Sequence, residues 1–215
     1  MTMQDSVEVS ALEGRLVRLE PLHRGHIPGL VMAAAADPSI YSRTVVPQGE
    51  AGMEAYVNTA LAAKAAGSVI PFATVRLSDG AVIGSTRFFD VESWPWPEGH
   101  ERYGRGLPDA CEIGYTWLTA PALRTGANSE AKLLMLTQAF ERWGMLRVCL
   151  HTDERNQRSR AAMERMGAKF EGILRSHRMA SDSIARNSAR YSIVAGEWPE
   201  VKAAMLRRAE SYSGQ

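Results

Sequence analysis

The sequence predicts an α+β protein: a mixed, mostly antiparallel central sheet with one parallel βαβ crossover, flanked by helices. Three observations carry this. VIPFATVRL (69–77) and AVIGSTRFFD (81–90) are strand-like runs joined by Ser-Asp-Gly, a strong hairpin signal. ACEIGYTWL (110–118) and RVCLHT (147–152) are strand-like too, and the segment between them carries a helical pattern that is apolar almost all round, as a buried crossover helix requires. AKFEGILRSHRM (168–179) and ARNSARYSIVA (185–195) then pair as a late hairpin through Ser181–Ile184.

The remaining elements follow in order. GRLVRLEPL (14–22) alternates apolar and polar residues and reads as the first strand. Helical patterns cover about 23–36 and 53–66, the second stopping before Gly67. VESWPWPEGHERYGRGLPD (91–109) is rich in Pro, Gly and aromatic residues and reads as an insertion. The crossover helix covers about 129–143, and a short helix from about Asn156 to Met166 is closed by Gly167. A last helix starts near Trp198-Pro199. With 215 residues, 45% of them apolar, the chain is expected to be a single domain over 1–215, with its core at about 12–200.

A net charge of +1 argues against nucleic acid as a partner. The charge is uneven: Met1–Ala110 holds nine Lys/Arg against thirteen Asp/Glu, and the remainder sixteen against eleven. A mildly basic second half suits a small anionic ligand. MTMQDSVEVS has no basic segment followed by an apolar run, and no stretch approaches the roughly 20 apolar residues of a membrane span. Cys111 and Cys149 sit in strand-like runs as small buried hydrophobes. Together these features lead us to expect a cytoplasmic protein without a membrane partner. His23, His26, His100, His151 and His177 show no metal-ligand spacing, so no metal site is expected, and His23 and His26 read as helix-surface residues.

Between Leu118 and the crossover helix the chain reads Arg124-Thr125-Gly126-Ala127-Asn128, with the helix expected to begin at Asn128 or Ser129. A helix start has unpartnered N–H groups and the positive end of its dipole, and a glycine lets backbone approach an anion. Arg124 adds a forked cation. No Gly-Lys-Ser/Thr follows, and two of the three glycines of a dinucleotide fingerprint are missing.

Downstream, TDERNQRSRAAMERMGAKFEG (152–172) resembles the last core segment of the GNAT acyltransferase superfamily, in which Asn-x-x-Ser opens a helix ending in a hydrophobic–Gly–small corner. EIGYTWL, RTGANSEAKLLMLTQAFE and the later YSIVAGEWPEVK resemble its branch of ribosomal-protein N-terminal (Rim-type) acetyltransferases. The resemblance covers about 12–200. It implies the GNAT fold, acetyl-CoA as cofactor, an amine acceptor and, as dimers are common in the family, a homodimer. The family's loop usually reads Gln/Arg-x-x-Gly-x-Gly/Ala; here those places hold Leu123, Gly126 and Asn128. Arg124 then takes the cationic role one place along, and Asn128 is expected to cap the helix.

Acyl transfer to an amine needs a neutral amine, a stabilised carbonyl oxyanion and a proton for the thiolate. Glu112 is the candidate base; strict alternation puts it on one face with Ala110, Gly114, Thr116 and Leu118, with Ile113, Tyr115 and Trp117 opposite. Pairing with an arginine of the late hairpin is the alternative for this carboxylate. By resemblance, Asn156 bonds the pantetheine arm and Ser159 is a proton donor near the thiol. Trp117, Leu118, Arg124, Thr125, Gly126, Ala127, Asn128 and Ser129 are the remaining candidate coenzyme contacts, with a strand N–H near Thr116 to Leu118 for the oxyanion. Trp94, Trp96 and Tyr103 of the insertion, with Glu112, are candidate acceptor contacts, and the insertion's acids favour a cationic amine. No Gly-x-Ser-x-Gly nucleophile motif is present, so direct attack in a ternary complex is expected. The acceptor expected is a protein N-terminal α-amine; a small-molecule or antibiotic N-acetyltransferase, or a non-catalytic acyl-CoA-binding module, are the alternatives.

Overall fold

The computed structural model describes residues 9–180 and 183–212. Its strands are β1 (Leu12–Glu13), β2 (Val17–Pro21), β3 (Val69–Arg76), β4 (Val82–Glu92), β5 (Ala110–Leu118), β6 (Arg147–Asp153), β7 (Lys169–Met179) and β8 (Ala185–Val194). They form one eight-stranded sheet in the order β1-β2-β3-β4-β5-β6-β8-β7, antiparallel throughout except for β5 beside β6. The helices are α1 (Ile27–Ala35), α2 (Gly49–Ala65), α3 (Ala127–Thr137), α4 (Gln157–Met166) and α5 (Trp198–Tyr212), and α3 makes the expected crossover. The late hairpin is present, but Ser181 and Asp182 of its connection lie outside the described residues.

Boundaries differ from expectation where local chemistry intervenes. A short 3₁₀ turn, Arg24–His26, precedes α1. The crossover helix starts two residues early, at Ala127, and widens into a π-type turn over Gln138–Arg142.

One face of the sheet packs on α3 and α5 through Cys111, Ile113, Leu118, Met135, Leu136, Trp143, Ile193 and Met205. The other packs on α1 and α2 through Leu30, Met53, Val57, Ala73 and Trp117. Each fully buried Leu or Met contributes about 1.5–3 kcal/mol. The first face has a polar fastening: the Glu130 carboxylate, in the first turn of α3, accepts the N–H groups of Arg15, Leu16 and Val17 at 2.9, 2.7 and 2.8 Å. An anion is favoured at a helix N-terminus. The carboxylate comes so close that a Cβ on Gly14 would lie 2.5 Å from Glu130 Cδ.

Cys111, Ile113 and Leu118 share one face while Trp117 takes the other, so strict alternation along β5 fails. The cause is a bulge. Trp117 pairs with Ser85 and Gly114 with Arg87, leaving Tyr115 and Thr116 opposite Thr86 alone. Tyr115 adopts φ 51°, which reverses the side-chain parity beyond it. Glu112 therefore shares a face with Trp117, and Thr116 and Leu118 lie on the opposite one, which corrects the expected grouping.

Candidate active site

Three features converge on β5. The first is the turn that leads from it into α3. After a 3₁₀ turn at Ala120–Ala122, Arg124 takes φ 64° and Gly126 φ 88°, left-handed values at which glycine carries no steric cost. Gly126, not Asn128, occupies the N-cap position, and Asn128 lies inside the first turn. The Ala127 N–H points to Thr125 Oγ1 at 3.4 Å, whereas the N–H groups of Gly126, Asn128 and Ser129 meet no acceptor among the described residues. Arg124, Thr125 and Ser129 are exposed; Ala127 is buried beneath them. Free amides, the helix dipole and an exposed guanidinium fit a phosphate-bearing coenzyme.

The second feature is a gap between β5 and β6. Their pairing covers only Ala110–Glu112 against Arg147–Cys149, although both strands continue past it. The Thr119 N–H donates to Ile83 O across β4, so by alternation the Leu118 N–H faces the gap. Beside it, Tyr41 donates its hydroxyl to Leu118 O at 3.1 Å and meets Trp117 edge-on. Trp117 Nε1 is buried without a hydrogen-bond partner among the described residues. At the start of α4 beyond β6, Asn156 Oδ1 accepts the Ser159 N–H at 3.1 Å, so the two expected contacts share one cap; the Ser159 hydroxyl bonds to no other described residue. The neighbouring arginines are engaged: Arg155 with Asp153, Arg158 with Ile40 O and Arg160 with Tyr191 OH.

The third feature is a cluster around Glu112, only 4% exposed and opposite Cys149 at the last parallel pair. Its Oε2 lies 2.5 Å from His151 Nδ1, a contact off the line of a well-formed hydrogen bond. The alternative for this carboxylate was an arginine of the late hairpin; its ion-pair contact is with this β6 histidine, while its charge also acts on Arg186 of β8. The His151 side chain is 5% exposed and its Nε2 has no partner among the described residues. The His177 ring lies 4.8 Å from that of His151. Burial, followed by the charge of His151, pushes His177 below the ordinary histidine value, and burial lowers Arg186 likewise. A carboxylate against an imidazole with a free nitrogen, beside a gap in a sheet, can take a proton from a nucleophile and pass it on.

On the opposite face, Lys132 of α3 donates to Thr116 Oγ1 at 2.6 Å and Thr86 Oγ1 at 3.0 Å. It is 4% exposed, with no carboxylate in ion-pair distance among the described residues, and burial pulls its amine down to about 7. The two hydroxyls, 2.8 Å apart, belong to the residues that make the bulge.

Sequence reasoning missed His151, His177 and Lys132. The only available signal was parity: Val148 and Leu150 enter the core, so Cys149 and His151 point away from it. The pairing of Glu112 with Cys149 joins distant segments and leaves no local trace. His26 also departs from its expected surface place. It is 5% exposed, sits 2.9 Å from Glu20 Oε2 and accepts the His23 N–H, and the ligand atoms of Glu20, His23 and His26 lie within 4.8 Å of one another. Both cysteines are free and buried; burial raises Cys111 well above the ordinary thiol value.

The insertion packs on the protein at the N-terminal end of β5. The Trp94 N–H donates to Asp109, and Arg102 joins Asp109 to the Gly144 carbonyl. Trp96 stacks on His100 at 4.2 Å and tilts against Trp94, while Trp94 and Tyr103 are exposed. Among the described residues, the hydrogen bonds and ring contacts of the Trp94 and Trp96 side chains stay within this loop and the end of β4, and Trp96 Nε1 is buried without a hydrogen-bond partner.

A strand that diverges from its parallel neighbour, an amide-lined helix start after it and a carboxylate at the fork together define an acyl-CoA-dependent transferase. Residues 16–169 match the family model described as an acetyltransferase (GNAT) domain. The chain belongs to the GNAT acetyltransferase family and is an N-acetyltransferase that uses acetyl-CoA. A GCN5-related N-acetyltransferase from Brucella melitensis is 26% identical and superposes with a TM-score of 0.81, over 95% of this chain and 87% of that one. A T. thermophilus protein described as an acetyltransferase is 33% identical, with a TM-score of 0.75 over 94% and 98%. Mycobacterium smegmatis RimJ, solved with CoA-disulfide, shares the fold at 19% identity and a TM-score of 0.73, over 94% and 92%. No curated protein matches the chain by sequence. No helix among the described residues is long and apolar enough to cross a membrane.

Proposed function

We propose that this acetyltransferase acts on the N-terminal α-amine of a polypeptide, as a single catalytic unit with residues 91–109 as an acceptor-side insertion. The observation that carries the reading is the buried Glu112–His151 pair at the fork of β5 and β6. An α-amine has a pKa near 7.7–8, so freeing it of its proton at pH 7.5 costs well under about 1 kcal/mol; a lysine amine at about 10.4 costs roughly 4 kcal/mol. A single carboxylate–imidazole pair suits the first task. Ribosomal-protein acetyltransferases among the structural neighbours are compatible with this acceptor but share only the fold.

Acetyl-CoA supplies an activated acetyl group as a thioester. The amides of Gly126, Asn128 and Ser129, with Arg124, Thr125 and Ala127, would hold its phosphates, and Asn156 would bond its arm. Glu112 takes the amine proton, directly or through a water, and His151 holds the carboxylate and receives charge. The Leu118 N–H, at the gap, would polarise the thioester carbonyl, with Trp117 walling the same strand end. As the amide C–N bond forms and the thioester C–S bond breaks, Ser159 would protonate the leaving sulfur and regain its proton from solvent, to which Glu112 releases the one taken from the amine. Trp94, Trp96 and Tyr103 bound the acceptor's path to Glu112.

The experiment is incubation with acetyl-CoA and a library of peptides carrying free or blocked N-termini, reading CoA release and locating the acetyl group by mass spectrometry. Acetylation confined to free α-amines supports the reading. Modification of lysine side chains, or of small amines alone, overturns it.

A further inference from the structure

Arg87 is a strongly basic group on the Glu112 face whose charge the fold leaves unanswered. It is 5% exposed, yet no carboxylate lies within ion-pairing distance among the described residues. Its Nε is buried without a hydrogen-bond partner, and its terminal nitrogens donate to no described group. Two rings sandwich it instead: the guanidinium carbon lies 4.1 Å from the centroid of Tyr115 and 5.1 Å from that of Tyr56. Aromatic faces orient a cation and keep water from it, but they carry no counter-charge.

The strain at Tyr115 belongs to the same arrangement. A tyrosine at φ 51° in mid-strand is disfavoured, and the bulge that imposes it aims the ring across β4, over Arg87 and edge-on to Phe89. Register brings this sandwich to the base. Arg87 pairs with Gly114 and Phe89 with Glu112, so the arginine and the glutamate sit on adjacent strands of one face, two residues out of step, roughly 7 Å along the strand. Glu112 Oε1 leans back toward Gly114, to 3.8 Å from where a Cβ there would stand. The Phe89 ring packs over Gly114, where a Cβ would lie 2.7 Å from its edge, and meets Tyr115 edge-on, so these two rings line the way from the carboxylate to the guanidinium.

We propose that Arg87 is the anion subsite of the acceptor pocket, taking a carboxylate that the acceptor carries a few ångströms from its reactive amine. Glu112 receives the ammonium end while the clamped guanidinium pairs with the carboxylate through its terminal N–H groups. The inference rests on the proposed acceptor reading and sharpens it: the preferred substrates are polypeptides with Asp or Glu at the first or second position. A free amino acid offers the same carboxylate from its α-position and forms the second arm of the test.

The acceptors are matched pairs: peptides with Asp against Asn, or Glu against Gln, at the first or second position, and amino acids against their amides. The readouts are kcat/KM from CoA release and the melting temperature of the protein–CoA complex with the N-acetylated member of each pair. The wild type is expected to favour the carboxylate member of the peptide pairs by tenfold or more. Arg87→Gln should abolish that preference while leaving stabilisation by CoA intact, and Arg87→Lys should restore part of it. If Arg87→Gln does not fold, Arg87→Met, which refills the space between the tyrosines, takes its place. A preference in the amino-acid pairs alone assigns the subsite to the α-carboxylate and overturns the peptide assignment. Equal rates within pairs, or a preference that survives loss of Arg87, overturns the proposal. If no amine is acetylated yet the acetylated acid raises the melting temperature through Arg87 and its amide does not, the subsite stands and the N-terminal reading falls.

Discussion

Lys132 and Glu112 lie on either side of the same strand, both 4% exposed, and the fold treats them in opposite ways. Lys132 is held from below by two threonine hydroxyls and enclosed by α3, with no acid in reach among the described residues. Burial answers by pulling its amine to about 7. Glu112 faces a fork in the sheet and touches His151, whose second nitrogen is unclaimed among the described residues, with the His177 ring beside it. The lesson concerns partners rather than burial. A group whose every contact is fixed stabilises or strains the bulge; a group left with an unclaimed valence beside a gap is available for chemistry.

Glu112→Gln should break the comparison most severely. A removed general base costs about 10²–10⁴-fold in kcat, so CoA release should fall by that factor while CoA-dependent stabilisation persists. A loss of folding instead would make the two sites alike. Lys132→Met comes next and acts on stability. An unfolded lysine keeps its proton to about 10.5 and the folded one only to about 7, so between these values the unfolded chain binds more protons and wild-type stability rises with pH. Below pH 7 both forms are protonated and the full penalty applies. The advantage of Lys132→Met over wild type should therefore shrink by roughly 4 kcal/mol from pH 7 to pH 10 in urea titrations. A constant difference across that range would mean that the amine stays charged in the fold.

Gly126→Glu tests the loop, which neither buried group touches. Coenzyme at about 100 times its Kd should stabilise the wild type by roughly 2.7 kcal/mol, read as a melting shift that the variant loses. The smallest effect is expected at the insertion. Replacing Trp94 and Trp96 by alanine should raise the acceptor KM a few-fold and leave coenzyme binding unchanged; the reverse pattern would move the acceptor path elsewhere.

Much of this architecture was legible locally. The helix start near Asn156, its Gly167 terminus at φ 101° and the Ser-Asp-Gly hairpin each depend on residues a few places apart, and the fold contains all three. The crossover through α3 followed from an apolar helix between two strands. The alternation along β5 misled because a bulge depends on the partner strand: Thr86 faces two residues only once β4 and β5 have paired. The same holds for His151, which meets Glu112 through the parallel register. The role expected for Asn128 passed to Gly126, because a left-handed N-cap needs backbone freedom more than a side-chain acceptor.

The bulge at Tyr115 also has a consequence for how this enzyme can change. Substitutions at 110–114 and at 116–118 reach opposite faces of the sheet for a given parity, separated by one residue out of phase. In the proposed reading, Glu112 on the first stretch serves the acceptor and the Trp117–Leu118 end serves the coenzyme, on one backbone whose phase the bulge offsets between them. Drift in what is acetylated need not disturb what supplies the acetyl group, provided that the count of residues between Gly114 and Trp117 is kept.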